Sequence, residues 1–340
     1  MIKQAIMSVV AGESLSEEEA AGVMGEIMDG QVTPSQLGAF LVALRIKGET
    51  IAEIAGLAGT MRAKAIQVKA PQPVVDIVGT GGDMAGTFNI STTAALVAAG
   101  AGLRVAKHGK RAASGRCGSA DVLEALGVGL ALSSQKVACC LREVGIAFMF
   151  APAFHPAMKY AAPTRREIGV PTIFNILGPL TNPAGARAQV LGVANPSLVE
   201  KMALVLKSLG YRHALVVHGM DGLDEITITG PTQVCELNRG ELRCYSICPE
   251  ELGLSRAGME SVAGGDAFQN AVILRRILSG ESGPGRDIVL MNAAAALLAG
   301  DLVKTLQEGV ARAAIALDEG RALAKLEQLI AFTQGSTDAA

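Results

Sequence analysis

Aromatic side chains and excess positive charge are what this sequence has least of. Its 340 residues include no tryptophan, and aromatic residues make up 3% of the chain. Proteins that stack nucleic-acid bases need aromatic platforms, and this chain has too few to provide them. The formal net charge is −2, so no broad basic field attracts a nucleic acid or a membrane surface. We therefore expect neither partner.

Long apolar runs are also missing. No uninterrupted run reaches the roughly 20 residues that a membrane-spanning helix needs, and the longest, around 92–103, holds several glycines and alanines. The first residues lack the design of a signal peptide, and an acidic segment follows at 16–19. The sequence therefore predicts a cytoplasmic protein.

The six cysteines include no Cys-x-x-Cys pair, and the adjacent Cys139 and Cys140 cannot easily bridge each other. We expect reduced thiols that pack as small hydrophobic side chains. The alternative is metal ligation by Cys235, Cys244 and Cys248.

Hydrophobic residues are plentiful, at 50% of the chain. At roughly 150 residues per domain, the length predicts two domains. The first, residues 1–70, has an all-helical pattern and ends at the stiff linker Pro71-Gln72-Pro73. Its helix-start signals are N-cap residues followed by a glutamate or a proline: Ser16 with Glu19, Thr33 with Pro34, and Thr50 with Glu53.

Residues 71–340 alternate between short apolar runs and helical stretches. This alternation predicts an α/β fold with a central, mainly parallel sheet flanked by helices, next to the small N-terminal helical domain. The predicted strands are 74–78, 103–106, 146–150, 189–193 and 214–217, with a hairpin of 233–237 and 242–247. The predicted helices are 92–100, 119–126, 134–143, 155–160, 197–209, 266–279, 287–298, 302–318 and 321–332.

A glycine-rich turn follows the first predicted strand. It reads Gly79-Thr80-Gly81-Gly82-Asp83, and Thr87 and the helix start Asn89-Ile90-Ser91-Thr92 come next. Glycines let the backbone approach an oxyanion, and the unpaired N–H groups of a helix N-terminus point at it. The order predicts a site for a phosphorylated ligand. The alternative is a glycine turn that close packing requires.

A basic segment follows the second predicted strand. It runs from Lys107 to Gly118 and enters a helix at Ser119. Its cations, its small residues and a second helix N-terminus predict a second anion site. A solvated basic loop is the alternative, and an isolated histidine such as His108 is more often structural than catalytic.

Three carboxylates, Asp221, Asp224 and Glu225, follow the strand at 214–217. Mg²⁺ usually takes one or two protein carboxylates together with ligand phosphates. The segment therefore predicts a magnesium site, although Asp221-Gly222 alternatively forms only a turn.

A further motif begins at Arg165 and Arg166 and continues to residue 183. Arginine suits two-point binding of a carboxylate. The Gly-Pro-Leu-Thr-Asn-Pro turn at 178–183 is predicted to be a structural connection.

In combination, these motifs resemble the anthranilate phosphoribosyltransferase family over nearly the whole chain. The letters that carry the resemblance are, in order, GTGGD, NIST, KHG-x-RAAS, GSADVLEALG, RRE-x-G, TIFN-x-LGPLTNP and DGLDE. The resemblance implies a fold of the nucleoside-phosphorylase type, with the active site at the hinge between a helical domain (1–70, joined by helices near 165–185) and an α/β domain (71–340).

The resemblance implies transfer of 5-phosphoribosyl from phosphoribosyl pyrophosphate to the amine of anthranilate, in tryptophan biosynthesis. The catalytic residues would be Lys107, Asp224 and Glu225. Mg²⁺ would bind to Ser91, Asp224 and Glu225. Anthranilate would contact Gly79, Lys110 and Arg165. Phosphoribosyl pyrophosphate would contact Gly79, Gly82, Asp83, Thr87, Asn89, Ile90, Ser91, Thr92, Lys107, His108, Gly109, Lys110, Arg111, Ala112, Ala113, Ser114, Gly115 and Ser119.

Three positions depart from the family pattern. Lys110 stands where the family usually has asparagine, Gly115 replaces the second serine of the usual pair, and Arg116-Cys117 replaces Lys-Ser. Lys110 is therefore expected either to help Arg165 hold a carboxylate or to point to solvent.

Other readings stay open at the level of sequence. One is a related phosphoribosyltransferase or phosphorylase with another acceptor, although Lys107–Arg111 does not match the K-x-S-G-R-G loop of pyrimidine nucleoside phosphorylases. The other is a transferase-like protein that binds nucleic acid, against which the acidic balance argues.

The helical segment is also expected to form a homodimer. Leu37, Phe40, Leu41 and Leu44 lie on one face of a helix, and we expect this apolar face to need a second copy of the chain to cover it.

Overall fold

The computed structural model describes residues 1–112 and 115–335. Its first four helices are α1 (Ile2–Val10), α2 (Glu17–Met28), α3 (Pro34–Lys47) and α4 (Ile51–Ala63). Each of α2, α3 and α4 begins at a capping box, in which the N-cap hydroxyl and the residue three positions later bond to each other's backbone N–H. The predicted start signals at Ser16, Thr33 and Thr50 are therefore confirmed.

A seven-stranded sheet forms the centre of the second part. Its strands are β1 (Val75–Gly79), β2 (Val105–Gly109), β3 (Ile146–Phe150), β4 (Ala188–Gly192), β5 (His213–Gly219), β6 (Thr232–Asn238) and β7 (Glu241–Ile247). The order across the sheet is β3-β2-β1-β4-β5-β6-β7. The strands from β3 to β5 pair in parallel, and β5, β6 and β7 pair antiparallel. The predicted mainly parallel sheet with a terminal hairpin is confirmed.

Helices cover both faces of this sheet. In chain order they are α5 (Ile90–Gly100), α6 (Ser119–Ala125), α7 (Ser134–Glu143), α8 (Ala151–Phe154), α9 (Ala162–Ile168), α10 (Phe174–Leu177), α11 (Leu198–Ser208), α12 (Ala267–Leu278), α13 (Pro284–Ala299), α14 (Leu306–Asp318) and α15 (Arg321–Gln334). Helix α14 begins four residues later than predicted, because Thr305 is its N-cap and accepts from the N–H of Glu308 at 3.2 Å.

The winding of the chain reverses between β1 and β4. Strand β1 leads to β2 on one side, whereas β4 leads to β5 on the other. In open α/β sheets, ligands bind outside the carboxyl ends of the strands at such a reversal. Residues Gly79 and Gly192 end these two strands and pair with each other. The topology therefore predicts a ligand site at this edge.

Two apolar cores lie on opposite faces of the sheet. Alternate residues of β4 divide between them, since Val190 belongs to one and Leu191 to the other. The second core joins the sheet to the four N-terminal helices, to α11 and to the segment around Phe174.

The residues from which we expected dimerisation are instead part of this second core. Leu37, Phe40, Leu41 and Leu44 are each at most 2% exposed and pack inside the chain. They are covered because α1 and α9 pack against α3 and the second core closes around this helix. The apolar side chains that stay exposed in this part of the molecule are different ones: Met7 and Val10 on α1, and Val42 and Ile46 on α3.

The expectation of reduced thiols is wrong for two of the six cysteines. The register of β6 and β7 places Cys235 directly opposite Cys244, with Cα atoms 4.1 Å apart, and the two are joined by a disulfide. The other four, Cys117, Cys139, Cys140 and Cys248, are not in disulfides. Within the described residues, none of the helices is long and apolar enough to span a membrane.

Candidate active site

The loop after β5 lies on the glycines that end β1 and β4. A Cβ atom at Gly79 would overlap the carboxylate of Asp224, and one at Gly192 would overlap the Asp224 carbonyl. The Gly81 N–H donates to Asp224 Oδ2 at 2.7 Å. The two glycines therefore do not simply shape turns: their missing side chains allow Asp224 to reach the edge of the sheet.

Asp224 is a buried acid and Glu225 a half-buried one, and the two lie next to each other in the chain. Burial, and then the charge of Asp83, raises the pKa of Asp224 well above its ordinary value. Burial, and then the charge of Asp224, raises the pKa of Glu225, while Lys107 and a hydrogen bond with Ser91 act in the opposite direction. Such a concentration of carboxylates at a strand edge favours a bound cation.

Asp221, the third carboxylate of this segment, builds the turn instead. Its Oδ1 accepts from the Leu223 N–H at 3.1 Å, and its Oδ2 accepts from the hydroxyls of Thr227 and Thr229. The turn reading of this residue is therefore supported, and Asp224 and Glu225 remain as the two carboxylates at the edge.

A residue without a sequence signal holds the far side of the same loop. Asn292 of α13 is fully buried, its Oδ1 accepts from the Ile226 N–H at 3.0 Å, and its Nδ2 donates to the Ile226 carbonyl at 2.9 Å. This two-point bond fixes the backbone immediately after Glu225. The contact spans 66 residues, so no local motif could have indicated it.

Lys107 and His108 are neighbours in β2 whose side chains point to opposite faces of the sheet. Lys107 Nζ donates to the Ile77 carbonyl at 2.6 Å and to Ser91 Oγ at 3.4 Å, and it feels the charge of Glu225. The His108 ring lies 5.1 Å from that of His155, and burial lowers its pKa to about 3. Only Lys107 therefore brings a positive charge to the acids.

The start of α5 supplies backbone donors beside Lys107. The first bond inside this helix runs from the Thr93 N–H to the Asn89 carbonyl, at 3.1 Å, so the N–H groups of Ser91 and Thr92 precede it. Ile90 is 1% exposed and its side chain packs in the core. A ligand at this helix end would therefore meet Ile90 through its backbone alone.

The basic loop between β2 and α6 is closed by one carboxylate. Asp121 Oδ2 accepts from the N–H groups of Ala112 and Gly118, both at 2.9 Å. The Arg111 guanidinium bonds to Asp121 and Glu124, so its charge is already balanced on the protein. Gly109 leaves room for the hydroxyl of Ser119. Gly115 is exposed in the loop, while Ala113 and Ser114 lie outside the described residues.

Arg165 and Lys110 bring two cations near each other. The Arg165 guanidinium lies over the Phe174 ring, 4.9 Å from its centre. Lys110 is exposed, and desolvation, and then the charge of Arg165, lowers its pKa. Two adjacent cations at the rim of the site suit an anionic group on the second substrate.

Comparison with known proteins agrees with this geometry. Residues 3–65 match the helical bundle domain of the glycosyl transferase family, and residues 71–323 match its a/b domain. The chain is 59% identical over 336 residues to the anthranilate phosphoribosyltransferase of Chloroflexus aurantiacus, covering 98% of this chain and 99% of the relative. The enzyme of that name from Dehalococcoides mccartyi is 55% identical, with 98% of both chains covered.

The chain belongs to the anthranilate phosphoribosyltransferase family. It is therefore an enzyme of the glycosyltransferase type, and the expected fold is confirmed. The anthranilate phosphoribosyltransferase of Thermus thermophilus superposes with a TM-score of 0.93 at 48% identity, covering 97% of this chain and 99% of the other. The Saccharomyces cerevisiae enzyme, in complex with PRPP and Mg, superposes with a TM-score of 0.90 at 28% identity, covering 98% of both chains.

The donor set in this family member fits a magnesium ion that arrives with its substrate. Among the residues that the structure describes, no group of three or more His, Cys, Asp or Glu side chains could hold a metal ion alone. The carboxylates of Asp224 and Glu225 and the Ser91 hydroxyl are hard oxygen donors, and Mg²⁺ commonly completes its shell with waters and substrate phosphates. The site therefore suits a metal that binds together with a pyrophosphate.

Proposed function

We propose that this protein transfers the 5-phosphoribosyl group of phosphoribosyl pyrophosphate to the amine of anthranilate, giving N-(5-phosphoribosyl)anthranilate and pyrophosphate in tryptophan biosynthesis. One observation carries the proposal: Asp224 and Glu225, Lys107 and the start of α5 meet at the edge where β1 and β4 end. Opposite charges and free backbone donors in one place suit a metal-bound pyrophosphate.

Negative charge gathers on the pyrophosphate as its bond to the ribose carbon breaks. Lys107 and the N–H groups of Ser91 and Thr92 stabilise that charge with donors that are already in place. Ser91, Asp224 and Glu225 would hold Mg²⁺, which when bound would supply further positive charge to the leaving group. Catalysis by this chain is therefore mainly electrostatic.

The remaining contacts to phosphoribosyl pyrophosphate come from the two loops that flank this centre. Backbone groups of the glycine-rich loop and of the basic loop approach the phosphates, with side chains at their rims. We assign this role to Gly79, Gly82, Asp83, Thr87, Asn89, Ile90, His108, Gly109, Lys110, Arg111, Ala112, Ala113, Ser114, Gly115 and Ser119. For Ile90 and His108, whose side chains point away, the contact is through the backbone.

The acceptor requires positioning more than activation. An aryl amine is neutral at pH 7, so it attacks without prior loss of a proton, and the site has only to hold it against the ribose carbon. Arg165 binds the anthranilate carboxylate with two parallel hydrogen bonds, and Lys110 adds a second positive charge. Gly79, whose missing side chain makes room for Asp224, would contact anthranilate through its backbone.

We also propose that two copies associate through the helical domain. Helices α1 and α3 pack together and leave Met7, Val10, Val42 and Ile46 exposed at 72%, 70%, 38% and 81%. Apolar side chains gathered on adjacent helices favour a self-complementary contact. This group replaces the buried leucine face as the expected dimer surface.

The loss of anthranilate fluorescence tests the reaction directly. The signal should fall only when phosphoribosyl pyrophosphate and Mg²⁺ are both present, and mixtures that lack one of them serve as controls. No loss of signal, together with phosphorolysis of a pyrimidine nucleoside or with tight binding of single-stranded or duplex DNA at ~0.15 M salt, would favour one of the other readings.

A further inference from the structure

The segment before α12 packs along the glycine-rich loop. The Phe88 N–H donates to the Val262 carbonyl at 3.1 Å, and the Gly264 N–H donates to the Gly86 carbonyl at 2.8 Å. A Cβ atom at Gly264 would lie 2.6 Å from the Phe88 nitrogen. This close contact brings the first turn of α12 up to the start of α5.

Asn270 is the residue of α12 that reaches furthest into this contact. Its side chain is almost fully buried, with 1% of the residue exposed. Oδ1 accepts from the Gly265 N–H at 2.7 Å, and Nδ2 donates to Asn89 Oδ1 at 2.9 Å. Asn89 Nδ2 then donates to the Cys117 carbonyl at 3.3 Å. The chain of bonds connects α12, the start of α5 and the basic loop.

Backbone groups at both ends fix the direction of this chain of bonds. The Gly265 N–H can only donate, so it faces the oxygen of Asn270 and turns the Asn270 amide nitrogen towards Asn89. The Cys117 carbonyl can only accept, so it faces the nitrogen of Asn89. Both side-chain amides therefore have one orientation that satisfies every partner.

The Asn89 side chain is diverted from the role that its position favours. Asn89 is the N-cap of α5, where asparagine commonly accepts from N–H groups of its own helix, yet in the described chain it forms no such bond. Its oxygen accepts instead from Asn270 and from the Cys117 thiol. The diversion leaves the N–H groups of Ser91 and Thr92 available to an anion.

The thiol at 117 is suited to the donor role in this arrangement. Burial raises the pKa of Cys117 to about 11, so the sulfur keeps its proton at neutral pH. Its contact to Asn89 Oδ1 is 3.3 Å. The departure from serine at this position therefore retains a donor to the same oxygen.

We propose that Asn270 is a positioning residue for phosphoribosyl pyrophosphate: by holding the Asn89 amide, it keeps the start of α5 uncapped and at a fixed distance from the basic loop. The inference rests on the proposed function, since it concerns the same phosphate site. Asn270 lies outside every segment whose sequence indicated a ligand.

Calorimetric titration with phosphoribosyl pyrophosphate and Mg²⁺ tests the proposal without requiring turnover. The variant Asn270→Asp keeps the size of the side chain and the bond from Gly265, but it presents an oxygen to Asn89 Oδ1. Gln269→Glu is the matched control, because it makes the same amide-to-acid change on the next residue and retains the acceptor for the Asp266 N–H. Thermal unfolding of each variant reports whether it is folded.

We expect the Kd for phosphoribosyl pyrophosphate to rise at least fivefold in Asn270→Asp and to stay within twofold in Gln269→Glu. Asn270→Ala should weaken binding in the wild-type background, but should add little in an Asn89→Ala background, because the effect passes through Asn89. In the activity assay, the KM for anthranilate should remain within twofold.

Equal Kd values for Asn270→Asp and Gln269→Glu would overturn the proposal, as would full additivity of Asn89→Ala and Asn270→Ala. A wild-type protein that binds phosphoribosyl pyrophosphate but does not consume anthranilate would reject the proposed reaction while leaving the Asn270 comparison decisive. A wild-type protein that does not bind phosphoribosyl pyrophosphate would overturn both.

Discussion

At the residue scale, the site depends on which side chains are missing as much as on those present. Gly79 and Gly192 admit Asp224 to the strand ends, and Gly109 admits Ser119 to the basic loop. A side chain at any of these positions would displace a group that we assign to the substrate site. The glycine-rich motif thus has two functions, since it shapes an anion-binding turn and makes room for an acid from a distant loop.

Arg165→Ala is predicted to raise the KM for anthranilate by at least tenfold and to change the KM for phosphoribosyl pyrophosphate much less. The guanidinium is placed by its contact with Phe174 and offers two parallel donors to a carboxylate. Steady-state kinetics with each substrate varied in turn measures both constants. Equal increases in the two would indicate an arginine that supports the fold.

Lys110→Asn is predicted to retain activity with anthranilate within about tenfold, which corresponds to ~1.4 kcal/mol. The change removes one of two neighbouring cations but leaves Arg165, so the acceptor carboxylate keeps its principal partner. The kcat/KM for anthranilate is the quantity to compare. A wild type that is inert towards anthranilate and becomes active after Lys110→Asn would show that the lysine selects a different acceptor.

Local motifs indicated the residues that we assign to the ligands, because each of those residues sits in one. The sequence could not predict Asn270 or Asn292, which hold the loops from other elements. A single asparagine in a helix has no distinctive spacing, and its partner is chosen by the tertiary fold. Residues that act through other residues are therefore the part of the site that sequence reasoning misses.

At the scale of elements, local sequence signals predicted whether a segment is a helix or a strand better than they predicted where it begins and ends. The capping boxes located the starts of α2, α3 and α4, and short strand-like runs located all seven strands within two residues at their starts. The predicted helix at 155–160 is instead a 3-10 turn at Pro156–Tyr160 that follows the short helix α8, because Pro156 cannot continue the preceding helical hydrogen bonds.

The antiparallel edge of the sheet contains a buried histidine that should make stability depend on pH. His213 lies between Glu236 and Asp301, at 3.0 Å and 2.7 Å. Burial lowers its pKa, but the hydrogen bonds to the two carboxylates outweigh burial and raise the pKa above its ordinary value. The protonated ring therefore stabilises the fold below ~6.5, the pKa of an unfolded-chain histidine, and this contribution is lost as pH rises through the folded-state pKa.

His213→Gln is accordingly predicted to lower the free energy of unfolding by about 2 kcal/mol at pH 5.5, because hydrogen bonds to charged groups commonly contribute that much stability. The loss should be smaller at pH 9. Urea unfolding of wild type and variant at both pH values measures the difference. A loss of unfolding free energy that is the same at both pH values, or that is larger at pH 9, would contradict a stabilising protonated His213.

At the scale of the whole molecule, the helical domain and the sheet share one core, and this sharing explains why the predicted dimer face was misplaced. A sequence pattern shows that Leu37 and Leu44 are apolar, but it does not show which element covers them. In the folded chain, other parts of the same molecule cover them. The side chains left over on α1 and α3 could be found only once that packing was known.

Sedimentation at micromolar concentration is predicted to give about twice the chain mass, and Ile46→Glu should shift the protein towards the monomer. A buried carboxylate in an apolar contact is unfavourable, and Ile46 is the most exposed of the four dimer-face residues. Ile315→Glu, at an exposed isoleucine of α14, is the matched control and should leave the mass unchanged. A monomeric wild type would reject the dimer.

We propose that Asp224 and Glu225 serve the pyrophosphate through Mg²⁺. Anthranilate consumption in a magnesium titration of the Asp224→Ala, Glu225→Ala double variant gives the sharpest test of this role. We expect no turnover at any Mg²⁺ concentration that saturates the wild type, with the variant still folded by circular dichroism. A folded double variant that matches the wild-type rate at limiting Mg²⁺ would contradict it.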